Sequence, residues 1–361
     1  LCTQKNYLGV FGSNNSFEYI ACFWSMSANK KIEEANEYIR QAEKCLKTSF
    51  LKWKPDYELA AEEYQKAAVS FRTAKAFDQS KNSYLKAADC HKQTNSWFHA
   101  AKCYDQAILI CNESKNLSEI KGFAEKASSL YQQHGSADAG ATVLEKAAKI
   151  LEQNYPQDAI TLYQRAADVS LIEDSSRQGA EYVNKVARIM VKLQMYDQAA
   201  DALRRVIGLY QSSDSYQSIG RLTVALVLVQ LAREDFVAAE KAFKEWGNCC
   251  DAAEVQTLER LLQAYDDEDP DAAARALRDP FIRHMDVEFA RLATILPLPK
   301  GVSIDQTPAS SATCAPSASV MESAATSYVA TKEKDIESKS HEEESVDKRQ
   351  PSDDDDDDGL R

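Results

Sequence analysis

The sequence predicts an all-α protein: an α-solenoid of antiparallel helical hairpins, about 20 residues per helix, capped by a C-terminal helical bundle. Three observations predict it. A short pattern returns every twenty residues. Within each copy the apolar residues are spaced three and four apart, as on one face of a helix. The stretch from Asn29 to Leu296 is also rich in Ala and poor in Gly and Pro.

The elements follow in order. Residues 1–25 read as a non-native or disordered leader, because Gly9, Gly12, Asn14 and Asn15 interrupt any helical pattern. The segment YIACFW is too short and wrongly flanked for a signal peptide. Met26-Ser27-Ala28 before a charged helix reads as a start.

Residues 26–246 carry the repeat. EYQKAAVSF (63–71), SYLKAADCH (83–91), CYDQAILIC (103–111), FAEKASSLY (123–131) and VLEKAAKIL (143–151) align without gaps. LYQRAADVS, YVNKVARIM and ALRRVIGLY continue the series from 162, 182 and 202, with weaker echoes near Thr223 and Phe243. Ala67, Ala87, Ala107, Ala127, Ala147 and Ala166 share one register position, later taken by Val186, Val206, Leu226 and Trp246. Small residues at that place let helices approach closely, and the neighbouring Tyr or Leu fills the groove. Segments such as QHGSAD (133–138) and NYPQD (154–158) supply the turns. Paired helices of this length make hairpins of about 40 residues, longer than the 34-residue tetratricopeptide unit, so the array is TPR-like rather than a TPR. No single helix buries enough surface to stand alone, so each relies on its neighbours.

Residues 247–300 break the period. Pro270 and Pro280 punctuate helices of unequal length, and Pro297 and Pro299 end them. Residues 301–361 are dominated by Ser, Thr, Ala and charge and read as a disordered acidic tail.

Charge narrows the partners. The formal net charge is −13, but from Val302 onward 15 acidic and 6 basic residues already give −9. The repeat region is near balance, which argues against nucleic acid as the main partner. The nine Cys contain no Cys-x-x-Cys pair, and Cys249 adjoins Cys250. Such spacing suits neither a zinc site nor a disulfide framework, so we expect reduced cytoplasmic thiols and no metal. No apolar run is long enough to span a membrane. His91, His99, His134, His284 and His341 form no i,i+4 pair, and there is no phosphate-cradling loop and no G-x-S-x-G. We expect neither enzymatic activity nor a cofactor.

One connector is unusual. TSFLKWKPDY (48–57) places Phe50, Leu51 and Trp53 among Lys52, Lys54 and Pro55, where a linker is normally polar.

Met26 to about Leu296 resembles the soluble NSF attachment proteins, in particular their gamma form. The resemblance is carried by SFLKWKPDYELAAEEYQKAA (49–68), FHAAKCYDQA (98–107), LYQRAAD (162–168), DFVAAEKAF (235–243), LLQAYDDEDPDA (261–272) and MDVEFARLA (285–293). It implies a twisted sheet of helical hairpins followed by a helical bundle. It also implies an adaptor that binds assembled SNARE complexes and recruits the hexameric AAA+ ATPase that separates them, peripherally associated with trafficking membranes. In this family the first interhelical loop touches the membrane. The matching residues here are Phe50, Leu51, Lys52, Trp53 and Lys54, with Pro55 expected in the first turn of the next helix. Acidic residues near the C-terminal end of the helices meet the ATPase, and Asp266 and Asp267 match them, with Glu268, Asp269 and Asp271 adjacent. Asp235 or Glu234 adds to that group. Leu360, after six Asp, matches a penultimate Leu that stimulates ATP hydrolysis. Thr142 and Glu181 stand where the family's SNARE-gripping face has Lys. The alternative is a tetratricopeptide-type co-chaperone or a general scaffold without SNARE specificity. The twenty-residue period speaks against it.

Overall fold

The computed structural model describes residues 15–48, 53–213 and 215–299, with side chains from Met26 onward. The described residues form fifteen α-helices: α1 (Asn15–Leu46), α2 (Tyr57–Thr73), α3 (Phe77–Gln93), α4 (Trp97–Glu113), α5 (Ile120–His134), α6 (Ala137–Leu151), α7 (Pro156–Ile172), α8 (Ser176–Lys192), α9 (Tyr196–Ser212), α10 (Ile219–Ala232), α11 (Phe236–Trp246), α12 (Ala252–Asp266), α13 (Pro270–Leu277), α14 (Pro280–Arg283) and α15 (Val287–Ile295). Helix α1 reaches back past Met26 to Asn15, the residue at which the sequence was expected to interrupt a helix. Nothing from Phe17 to Ser25 is Gly or Pro, so this segment carries no strong breaker.

The twenty-residue period is a physical period. Counting the short 3-10 turns that open α5 and α10, the helices from α2 to α11 begin at 57, 77, 97, 117, 137, 156, 176, 196, 216 and 236. Consecutive helices pack on one another from α1 to α11. The six recurring alanines, Ala67 to Ala166, are fully buried. Their large neighbours Tyr64, Tyr84, Tyr104, Leu144 and Tyr163 are buried beside them. Among the described residues this is an all-α, TPR-like solenoid.

A repeated turn sets the period. Lys75, Asn95, Gly135, Asp174, Gln194 and Glu234 all have positive φ, between 54° and 84°. The next residue then donates its N–H five residues back: Ala76 to Phe71 O at 2.9 Å, Ser96 to His91 O at 2.9 Å, Asp235 to Gln230 O at 3.0 Å. That is a Schellman closure, which satisfies helix-end carbonyls and reverses the chain in three residues. Only one of these six left-handed positions is glycine. The turn before α7 is different. Pro156 opens that helix and keeps Tyr155 before it out of helical backbone, at φ −135° and ψ 63°. The helix start falls at 156 rather than 157, and the following helices keep that register.

Ion pairs join alternate helices. Arg72 bonds Glu113, and Lys185 bonds Glu145. Lys121 meets Asp158 at 2.8 Å, Arg205 meets Asp168 at 2.9 Å, and Lys81 meets Glu119 at 2.9 Å. Each half-exposed pair stabilises by only about 0–1 kcal/mol. Their regular separation shows that helices two apart lie side by side.

One apolar core runs from Ala42 to Leu298 and includes helices on both sides of Gly247. Its hub is α10, buried on all sides from Leu222 to Leu231, with α9, α11, α12 and α15 packed against it. Gly220, at its start, admits the Glu254 carboxyl: a Cβ there would sit 1.8 Å from Glu254 Oε2. The same carboxyl accepts the Asp251 N–H at 2.9 Å and closes the capping box that starts α12.

Candidate partner-binding surfaces

The connector between α1 and α2 holds the first candidate. Trp53 is 90% exposed and Lys54 is also exposed. Phe50, Leu51 and Lys52 lie outside the described residues. Pro55 does not enter α2, as the sequence suggested. Asp56 takes the cap, its Oδ1 accepting the Leu59 N–H at 3.1 Å, and its own N–H bonds Cys45 O at 3.1 Å. A side-chain acceptor satisfies a free helix-start N–H that proline in the first turn would leave to water. The connector is therefore tied at its base while the indole stands in solvent.

The second candidate is the turn between α12 and α13. Asp266 ends α12 and Asp267 caps it, both exposed, with Glu268 at φ 50°. Asp269 turns inward as the cap of α13, accepting N–H groups from Asp271 at 2.9 Å and Ala272 at 3.0 Å. Asp271 is exposed in the first turn of α13. Physics separates the group. Asp269 and Asp271 suit a helix start, whereas Asp266 and Asp267 oppose the negative end of the α12 dipole. Asp235, the suggested addition, caps α11 through a 2.9 Å bond from Ala238 N. Leu360 lies outside the described residues.

Sequence reading passed over a third feature, a ladder of cations. The residue before the recurring alanine position, which Val186 and Val206 take over later, is Lys66, Lys86, Lys126, Lys146, Arg165, Lys185 or Arg205, with Gln106 interrupting. The signal lay in the aligned repeats, one column from the alanines. Most rungs are engaged: Lys66 with Glu63 at 2.6 Å, Arg165 with Glu125 at 3.7 Å, and Lys86 over the Tyr64 ring at 5.5 Å. Lys126 and Lys146 are exposed, and neither has a carboxylate within salt-bridge distance among the described residues. Thr142 binds its own helix through Asp138 O at 2.8 Å, and Glu181 faces Arg177 at 3.9 Å.

Burial pushes the Cys103 thiol up to about 12, and Cys111 and Cys250 up to about 11, so these three are protonated and poor nucleophiles. Among the described residues no group of three or more His, Cys, Asp or Glu is arranged to hold a metal ion. The structure does bring together histidines that the sequence left apart. His91 and His99 rings lie 5.4 Å apart, and Phe98 packs at a tilt against His134 at 5.2 Å. No described helix is long and apolar enough to cross a membrane.

Stacked helical hairpins with surface loops and charged rows define a TPR-like scaffold, a class that holds other proteins. A family model described as soluble NSF attachment protein matches residues 33–280, and the chain belongs to that family. It is similar to the gamma-soluble NSF attachment protein of Dictyostelium discoideum, 25% identical over 282 residues that cover 76% of this chain and 86% of the relative. The gamma-soluble NSF attachment protein of Arabidopsis thaliana is 26% identical over 268 residues, 73% of this chain and 92% of that one. The alpha-soluble NSF attachment protein of Vitis vinifera is 27% identical over 246 residues, covering 66% and 84%. The two gamma relatives match over more of this chain than the alpha relative does, and the family is one of trafficking adaptors.

Proposed function

We propose that this chain is a non-enzymatic adaptor that grips assembled SNARE bundles and attaches an NSF-type AAA+ ATPase to them. The observation that carries the reading is the family match across residues 33–280. The relatives are named for attachment to NSF. The repeated array supplies a stiff support on which force from the ATPase can act, since each repeat is held by its neighbours. Lys126 and Lys146, exposed and without carboxylate partners, offer cations to an acidic bundle.

Two contacts divide the remaining work. Asp266 and Asp267, placed against the helix dipole, are available to a basic patch on the ATPase. Trp53, with its indole in solvent beside Lys54, suits a membrane interface, where the ring lies in the apolar zone and lysine meets lipid phosphate. Phe50, Leu51 and Lys52 complete that loop in sequence, and Leu360 is assigned to stimulation of ATP hydrolysis. So small a loop binds weakly, raising local concentration rather than anchoring the protein.

Charge reversal tests the division. Asp266→Lys with Asp267→Lys should weaken ATPase recruitment to a SNARE bundle about tenfold or more while leaving bundle binding near wild type. The effect should shrink as salt rises. Equal loss of both interactions would reject the assignment of this turn to the ATPase.

A further inference from the structure

We propose that the cleft where α8, α10, α12 and α15 meet is a docking site for an arginine side chain presented by a partner protein. The cleft has a volume of about 960 Å³ and is open to solvent on one side. It stands apart from the acidic turn already described. That turn ends α12 whereas the cleft lies at its start, about 20 Å away along the helix at 1.5 Å per residue.

Two deficits in its wall call for the same chemistry. Asn184 Oδ1, on α8, is buried and accepts no hydrogen bond from the described residues. An acceptor left without a donor is costly and rare in a folded protein. Glu254, on α12, lines the same cleft and is only 4% exposed. It is held there by Gly220 and by the single Asp251 N–H. Burial raises the affinity of its carboxyl for a proton, and the nearby Arg221 offsets that only in part. Both groups seek a donor, and one of them seeks a cation.

The remaining wall agrees. Asp251 and Asp286 add carboxylates, and Tyr210, Tyr216 and Phe289 add aromatic rings. Tyr216 is 51% exposed. Among the described residues that line the cleft the one cation is Arg221, exposed and on the α10 side. Asp286 touches Arg188 only at 3.7 Å, because Arg188 turns its Nε to Glu288 at 3.0 Å. A guanidinium suits this set better than an ammonium. Its planar fork can donate to an amide oxygen and a carboxylate together, stack on a tyrosine, and leave water at lower cost.

The test uses the full chain and a probe, the peptide acetyl-Gly-Arg-Gly-amide, followed by amide NMR shifts of Gly220 and Asn248. Saturable binding is expected with Kd on the order of 1 mM, and the citrulline version, which keeps the shape and loses the charge, should bind about tenfold more weakly. Asn184→Leu combined with Glu254→Gln should abolish the response. Arg221→Ser should tighten it several-fold by removing the competing cation, a gain that misfolding would not produce. Equal binding of the citrulline peptide, shifts confined to Asp266–Asp271, or no saturable response would each overturn the proposal. None of these outcomes bears on whether the chain binds SNARE bundles.

Discussion

Replacing Lys75, Lys115 and Gln194 with glycine should make the array more stable. All three side chains are exposed, and their φ angles are 59°, 62° and 59°. In that region Cβ crowds the following carbonyl oxygen, at a cost of about 1–2 kcal/mol. Glycine removes the crowding but loses roughly 0.5–1 kcal/mol more chain entropy on folding. The difference leaves about 0.5–1 kcal/mol of stabilisation per turn. The three turns share no partners, so the triple variant should gain about 2 kcal/mol. For a folded region of this size that is a rise of about 4 °C in melting midpoint. Ala74→Gly is the control: one residue earlier, φ is −77°, no strain is relieved, and about 0.5–1 kcal/mol should be lost. Gly135→Ala, at φ 84°, should lose about 1 kcal/mol. Circular dichroism melts of the four proteins, wild type included, decide the matter. If the triple variant falls with Ala74→Gly instead of rising, the left-handed turn is not the device that sets the period.

Three further outcomes can be checked. Gly220→Ala should cost about 1–3 kcal/mol by expelling the Glu254 carboxyl, and adding Glu254→Ala should recover part of it; strictly additive losses in a double-mutant cycle would reject the contact. His91 is buried, 2.8 Å from the Gln65 amide nitrogen, and burial followed by the neighbouring His99 lowers its pKa. A histidine with a lowered folded value takes up its proton first when unfolded, so stability should fall as pH drops through the ordinary value of 6.5 and level off once the folded value is passed. Urea midpoints measured against pH should show this for wild type, and His91→Gln should flatten the curve; an unchanged slope would assign the effect elsewhere. Phe50→Ser with Trp53→Ser should slow SNARE disassembly on liposomes but not in detergent, whereas equal loss in both would mean that these residues pack rather than touch lipid.

The repeat was legible because its physics is local. A helix face needs apolar residues at fixed spacing, and close packing needs alanine, so both appear as columns when the sequence is folded at twenty. The turns were legible in place but not in kind. Glycine marks only Gly135, while Lys75, Gln194 and Glu234 take the same left-handed backbone without any compositional sign. Pro156 did announce a local change, and the structure gives its meaning as a turn one residue short. Pro55 misled because a proline near a helix start suggests the first turn, while Asp56 beside it was the better cap. The acidic turn was visible as charge, yet only the helix ends show that Asp269 is occupied with its own backbone and Asp266 is not. The cleft was invisible. Asn184, Arg221, Glu254 and Phe289 come from four helices that no period connects, and what unites them is packing around α10.

The most direct measurement of the adaptor role is a pull-down of the purified full chain with an assembled SNARE bundle, with and without the AAA+ ATPase and non-hydrolysable ATP. An adaptor should bind the bundle alone, bind single unassembled SNARE helices weakly, and bring the ATPase down only when the bundle is present. A chain that ignores the bundle, or that captures the ATPase equally well without it, contradicts the role proposed.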